Sequence, residues 1–261
     1  MSNRLEKAFA AVNDRNEKAF VPYIMAGDGG LESLKEKLLF LEKCGATAVE
    51  LGIPFSDPVA DGPTIQRAGL RALKKGTTLQ GVLEALETIR DEVSIPYLIM
   101  TYMNPILAYG LDSFIESATR AGIDGCIIPD LPVEEEDLIA PKLEEAGIEL
   151  IRLVTLTSPP ERIKEISEKG NGFLYAVTVT GITGARSGFQ TEIGAYLQKV
   201  KEASNKPVLA GFGISTPDHV REFSQYCDGV IVGSRIIDLF EADDLKSIEQ
   251  LIQAARTVGT A

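Results

Sequence analysis

Residues 48–66 read AVELGIPFSDPVADGPTIQ. The first seven, AVELGIP, carry the apolar and β-branched side chains of a buried strand, yet Glu50 sits in their middle. A loop follows, stiffened by Pro54, Pro58 and Pro63, and a helix is expected from near Thr64. Strand, loop and helix make one βα unit. The same order recurs along the chain, with strands expected at VPYIMAG (21–27), AVELGIP (48–54), PYLIMTY (96–102), GCIIPD (125–130), LIRLVT (150–155), FLYAVTV (173–179), PVLAGFG (207–213) and GVIVGS (229–234). Helical patterns such as LESLKEKLLFLEKCG lie between them, and Gly45, Gly76, Gly122, Gly147 and Gly170 stand where helices should end. MSNRLEKAFAAVNDRNEKAF adds a charged helix in front.

Eight such units predict parallel strands with crossover helices. An open doubly wound sheet is the rival arrangement, but no break in composition divides the repeats. The reading is therefore α/β, a (β/α)8 TIM barrel with an additional N-terminal helix, residues 1–261 forming a single domain. Such barrels keep their chemistry at the C-terminal ends of the strands. The loops there are the distinctive ones: PFSDPVADGPT, TGITGARSGFQ, GFGIST and VGSRI.

Composition narrows the function. A net charge of −12 argues against nucleic acid or an anionic membrane as partner. No apolar run reaches membrane-spanning length and the first residues lack a signal-peptide core, so a cytoplasmic protein is expected. Cys44, Cys126 and Cys227 are far apart, which speaks against a disulfide framework or a zinc site. The single histidine, His219, falls in a helical pattern and reads as a surface or capping residue, which leaves His-rich metal sites and a Ser-His-Asp triad without support. No lysine ends a strand, so a Schiff-base aldolase is disfavoured.

Strand alternation turns Val49, Leu51 and Ile53 towards the helices and Ala48, Glu50 and Gly52 into the barrel. Burial disfavours a charged carboxylate, so Glu50 is poised to exchange protons near neutral pH. The competing reading is a structural ion pair, for which Arg152 is the basic candidate. Asp61 is either a turn or helix-cap residue or a second functional acid, and Asp57 is ambiguous in the same way. Gly184, Gly213, Gly233 and Ser234 fall in loops six to eight, where backbone N–H groups bind phosphate in this fold. Tyr23, Tyr102 and Tyr175 recur in the strands; tyrosines there are mostly packing residues, and Tyr175 precedes the loop-six glycines and points to the pocket.

ELGIPFSDPVADGPTIQ, MTYMNPI, DLPVEE, GITGAR and GFGIS, in this order, resemble the tryptophan synthase alpha subunit family from about residue 20 to residue 240. The resemblance implies a lyase that cleaves indole-3-glycerol phosphate to indole and glyceraldehyde 3-phosphate in tryptophan biosynthesis. It assigns proton transfer to Glu50 and stabilisation of the indole ring N–H to Asp61. It places Tyr175, Thr183, Gly184, Phe212, Gly213, Gly233 and Ser234 around the substrate, with Leu98, Ile128 and Ile231 walling the indole and Thr183 closing loop six over Asp61. It implies no cofactor and no metal in this chain, because pyridoxal phosphate belongs to the partner, the beta subunit of an α2β2 heterotetramer. Asp57, Asn104, Pro105 and Asp130 match its interface elements. Val179 stands where some members of the family carry an arginine. Alternatives are a free-standing lyase that releases indole without a beta subunit, another phosphosugar barrel enzyme, and a non-catalytic regulatory subunit.

Overall fold

In a computed structural model, which describes residues 4–178, 187–211 and 213–257 (without the side chains of 187–191), eight strands follow one another in a closed parallel barrel. They are β1 (Ala19–Met25), β2 (Val49–Gly52), β3 (Tyr97–Met100), β4 (Gly125–Ile127), β5 (Glu149–Thr155), β6 (Leu174–Val177), β7 (Val208–Gly211) and β8 (Gly229–Val232). Each pairs with the next, and β1 returns to β8 through Ala19 opposite Gly229. The expected (β/α)8 barrel is the observed one.

Strand alternation sorts the apolar residues into two layers. Phe20, Ile24, Val49, Leu51, Ile53, Ile99 and Cys126 pack outward against the helices. Val21, Tyr23, Met25, Ala48, Leu98, Met100, Ile127, Ile151, Tyr175, Leu209 and Ile231 fill the barrel. The expected directions of Val49, Leu51 and Ile53 therefore hold. Cys44, Cys126 and Cys227 are buried free thiols.

Several strands stop short of the expected ends. β2 ends at Gly52 and β3 at Met100, although Ile53 still donates to the Met100 carbonyl (2.9 Å) and Thr101 to that of Ile127 (3.0 Å). Pro54 and Pro129 then stand in the exits, and proline brings no N–H to a ladder. The chain is thus released into the mouth loops soon after each strand.

The Arg4–Asp14 helix closes the opposite end. Its Leu5 and Val12 enter the inner layer, and Phe9 stacks on Phe173 with ring centroids 5.5 Å apart. Arg4 grips Asp124 with two bonds, at 3.0 and 2.7 Å. The helices end as expected: Gly45 and Gly122 are left-handed caps, and Gly76, Gly147 and Gly170 also take positive φ.

Candidate active site

Glu50 lies at the centre of β2 with 1% of its surface exposed. It stands level with Tyr23 on β1 and Leu98 on β3, both residues of the inner layer. Neither carboxyl oxygen has a hydrogen-bond partner among the described residues. The structural ion pair with Arg152 does not form. Arg152 is on the opposite phase of β5 and binds Glu136 (2.8 Å) and the Lys169 carbonyl (2.9 Å). Burial, reinforced by the negative charge of Asp61, pushes the Glu50 carboxyl up to about 8.

Asp61 hangs in the loop between β2 and the Pro63–Lys74 helix. It is not the cap of that helix: the N-cap is Gly62, and no side chain satisfies it. The loop is held by the Asp61 N–H on the Pro58 carbonyl (3.2 Å) and by Gln66, which donates to the Asp61 carbonyl (2.8 Å). Burial pushes the Asp61 carboxyl up to about 6, against a hydrogen bond from the Tyr102 hydroxyl that favours the charged form. The same hydroxyl accepts the Ala60 N–H at 3.0 Å. One phenol therefore fixes both the backbone and the carboxylate of the loop.

The two acids are thus raised to different degrees. Between about pH 6 and pH 8 Asp61 is ionised while Glu50 keeps its proton. Such a pair can supply a proton beside a fixed negative charge, inside a low-dielectric barrel.

Tyr23 and Tyr175 pack in the inner layer as expected, and both lie within the field of the two acids. Tyr23 and Tyr175 are buried, and the charges of Glu50 and Asp61 both push their phenols further up than burial alone does. Tyr175 reaches the interior because Gly211 on β7 gives way: a Cβ there would meet its hydroxyl at 2.6 Å. Sequence reasoning assigned Tyr175 but not Tyr23 or Tyr102. The inward phase of Tyr23 was available from β1, but its register opposite Glu50 is a property of the closed sheet.

Leu98 and Ile231 are interior residues, as an indole wall requires. Ile128 is not; it packs outward among the helices, and Ile127 is the β4 residue that faces in. The reason is parity, since a one-residue slip reverses the face. Gly213 follows β7 in the left-handed region (φ +80). Gly233 is the N-cap of the Ser234–Glu241 helix, and a Cβ on it would lie 3.6 Å from Tyr23 and 3.7 Å from Ile65. The first N–H groups of that helix have no partner within it. Thr183, Gly184, Phe212 and Val179 lie outside the described residues. His219 is a partly buried residue of the Pro217–Phe223 helix, where its N–H meets the capping Thr216 hydroxyl (3.2 Å). Asp57 and Asp130 are exposed in the loops after β2 and β4, and Asn104 is exposed in the first turn of the Met103–Tyr109 helix after β3, with Asp130 accepting the Met103 N–H at 3.1 Å. Among the described residues no cluster of three or more metal-ligating side chains occurs.

Comparison with known proteins places this geometry in company. The family described as tryptophan synthase alpha chain matches residues 9–260. A tryptophan synthase alpha chain from Bacillus thuringiensis is 56% identical over 253 residues, covering 97% of this chain and 96% of the relative. One from Bacillus cereus is 57% identical over 252 residues and covers 97% of each. The crystal structure of the Legionella pneumophila alpha chain superposes with a TM-score of 0.89 at 35% identity, over the full length of both. Tryptophan synthase from M. tuberculosis, in an aminoacrylate-bound form, gives 0.87 at 31% identity over 98% of this chain and 100% of the other.

Proposed function

This chain belongs to the tryptophan synthase alpha chain family, and on that premise we propose how its own residues divide the work. The protein is a carbon–carbon lyase that cleaves indole-3-glycerol phosphate to indole and glyceraldehyde 3-phosphate in tryptophan biosynthesis. One observation carries the assignment of roles: Glu50 is buried with no hydrogen-bond partner among the described residues, and its carboxyl is pushed up further than that of Asp61.

Cleavage of the bond between the indole ring and the glycerol chain needs an electron sink. Glu50 delivers a proton to the ring carbon that bears the chain, which turns the ring nitrogen into an iminium. Asp61 accepts the ring N–H bond and stabilises the positive charge that grows there. Glu50, now a carboxylate, takes the proton of the adjacent chain hydroxyl. The C–C bond breaks, its electrons restore the neutral indole, and the hydroxyl carbon becomes the aldehyde. Glu50 ends as it began, and the atoms balance without a cofactor.

Leu98, Ile127, Ile231 and Tyr175 supply the apolar walls for the ring. The phosphate is assigned to the N–H groups at Gly213, Gly233 and Ser234, together with Gly184 and Phe212, and Thr183 to closure over Asp61. We read residues 1–261 as one domain, because the first strand pairs with the last. The tryptophan synthases among the structural neighbours support a beta subunit as partner, seated on the rim of Asp57, Asn104, Pro105 and Asp130 in an α2β2 assembly that carries pyridoxal phosphate in the beta chain. Among the described residues no helix is long and apolar enough to cross a membrane, and we assign the enzyme to the cytoplasm.

The test is indole release from indole-3-glycerol phosphate by the purified chain, with and without a beta subunit. Slow release that the partner stimulates strongly, and that Glu50→Gln abolishes, is expected. Release that survives in Glu50→Gln would discard the proton-transfer role, and fast release unaffected by the partner would discard the assembly.

A further inference from the structure

The reaction above leaves one interior group without a task, the phenol of Tyr23. Tyr23 and Glu50 leave neighbouring strands at the same level and both face inward. The Tyr23 ring then runs towards the mouth, since a Cβ on Gly52 would lie 1.8 Å from its hydroxyl oxygen. Gly52 is the next inward position after Glu50 on the same strand. Inward positions two residues apart are about 6.6 Å apart, and a glutamate carboxyl carbon stands roughly 2.5 Å from its own Cβ. A Glu50 side chain turned towards the mouth therefore brings an oxygen within hydrogen-bond reach of the Tyr23 hydroxyl.

The titratable groups around Glu50 are Tyr23 on β1, Asp61 in the loop after β2 and Tyr175 on β6, with Tyr102 beyond β3 next to Asp61. Asp61 repels a carboxylate. Tyr102 is engaged with Asp61 and the Ala60 N–H. Tyr175 reaches in from the other side of the barrel, over Gly211. Tyr23 is the donor on the adjacent strand.

We propose that Tyr23 is a positioning residue for Glu50: its hydroxyl donates to the Glu50 carboxylate once the proton has passed to the substrate. It thereby holds the carboxylate turned towards the mouth, where the chain hydroxyl returns a proton. The inference rests on the role of Glu50 given above. A phenylalanine would fill the same space and leave the carboxylate without a donor.

Tyr23→Phe tests it with two readouts. In turnover of indole-3-glycerol phosphate, kcat falls about tenfold, KM stays within about threefold, and the alkaline limb of the pH profile moves upward by about half a unit to one unit, because a donor favours the charged form. Independently of turnover, carbon-13 NMR of labelled glutamates, with Glu50 identified by its loss in Glu50→Gln, shows its titration moving upward by the same amount. Replacing Tyr23 by 3-fluorotyrosine, a stronger donor of nearly the same shape, moves both readouts downward and covers a Tyr23→Phe chain that fails to fold. An unmoved Glu50 titration in both variants, or a change in KM alone, overturns the proposal. A wild-type chain that releases no indole would sink the proposed function, while the NMR titration would still decide whether Tyr23 acts on Glu50.

Discussion

At the scale of single residues, the proposed roles rest on two carboxylates whose surroundings raise them to different degrees. Burial raises both; the Tyr102 hydroxyl holds Asp61 lower, and the charge of Asp61 drives Glu50 higher. The proposed mechanism requires Asp61 without its proton and Glu50 with it. The profile of kcat/KM against pH is therefore a bell with limbs near 6 and 8. Asp61→Asn removes the acid limb and lowers kcat by about 10²- to 10³-fold, and steady-state assays across pH check both. The same acidity is a stability statement. Glu50 binds its proton more tightly folded than unfolded, so between about 4.5 and 8 the native state loses stability as pH rises. Glu50→Gln removes that slope: chemical denaturation shows the variant more stable than wild type above pH 8, by on the order of 5 kcal/mol, and nearly equal to it near pH 4.5. An equal gap at both pH values would contradict it. The inward phase of Glu50 was legible in AVELGIP, because alternation is local. That Arg152 would choose Glu136 was not, because that choice is made by the opposite phase of a distant strand.

At the scale of elements, the strands are short and the glycines in them leave room for tyrosines. Tyr23 occupies the space over Gly52, and Tyr175 the space over Gly211. A Cβ at Gly52 would lie 1.8 Å from the Tyr23 oxygen and 2.4 Å from the carbon that carries it, so the ring must move. Gly52→Ala is expected to cost roughly 1–3 kcal/mol, seen in urea unfolding, and to lower kcat by more than tenfold, since the displaced ring crowds Glu50. Wild-type kcat in a folded Gly52→Ala chain would show that the tyrosine is free to leave. The strand sequence displayed the eight units and their helix caps, since periodicity and terminal glycines are local signals. It overran the strand ends at Pro54 and Pro129, where apolar residues continue after the ladder has stopped. It also misassigned Ile128 to the indole wall: in IIPD two isoleucines stand together, and only the register of β4 decides which one turns inward.

At the scale of the whole molecule, the barrel separates chemistry from support along its axis. Glu50, Asp61, Tyr23, Tyr102 and Tyr175 converge at and below the mouth, where the strand C-termini lie. The far end is sealed by the Arg4–Asp14 helix through Leu5, which is fully buried, and through the Arg4–Asp124 pair. A defect in that seal should reach stability without reaching the reaction. Leu5→Ala empties a site in the inner layer and is expected to cost about 2–5 kcal/mol, lowering the thermal midpoint by several degrees. The acids are held by β2, its loop and Tyr102, whereas Leu5 belongs to the helix at the far end, so kcat/KM at a temperature where the variant is folded stays within about twofold of wild type. Both limbs of the pH profile stay near 6 and 8. Calorimetry and assays on the same preparation decide the matter. A fall in kcat/KM of tenfold or more in the folded variant would mean that the barrel interior transmits packing from its base to Glu50, and that the mouth depends on the seal for more than stability.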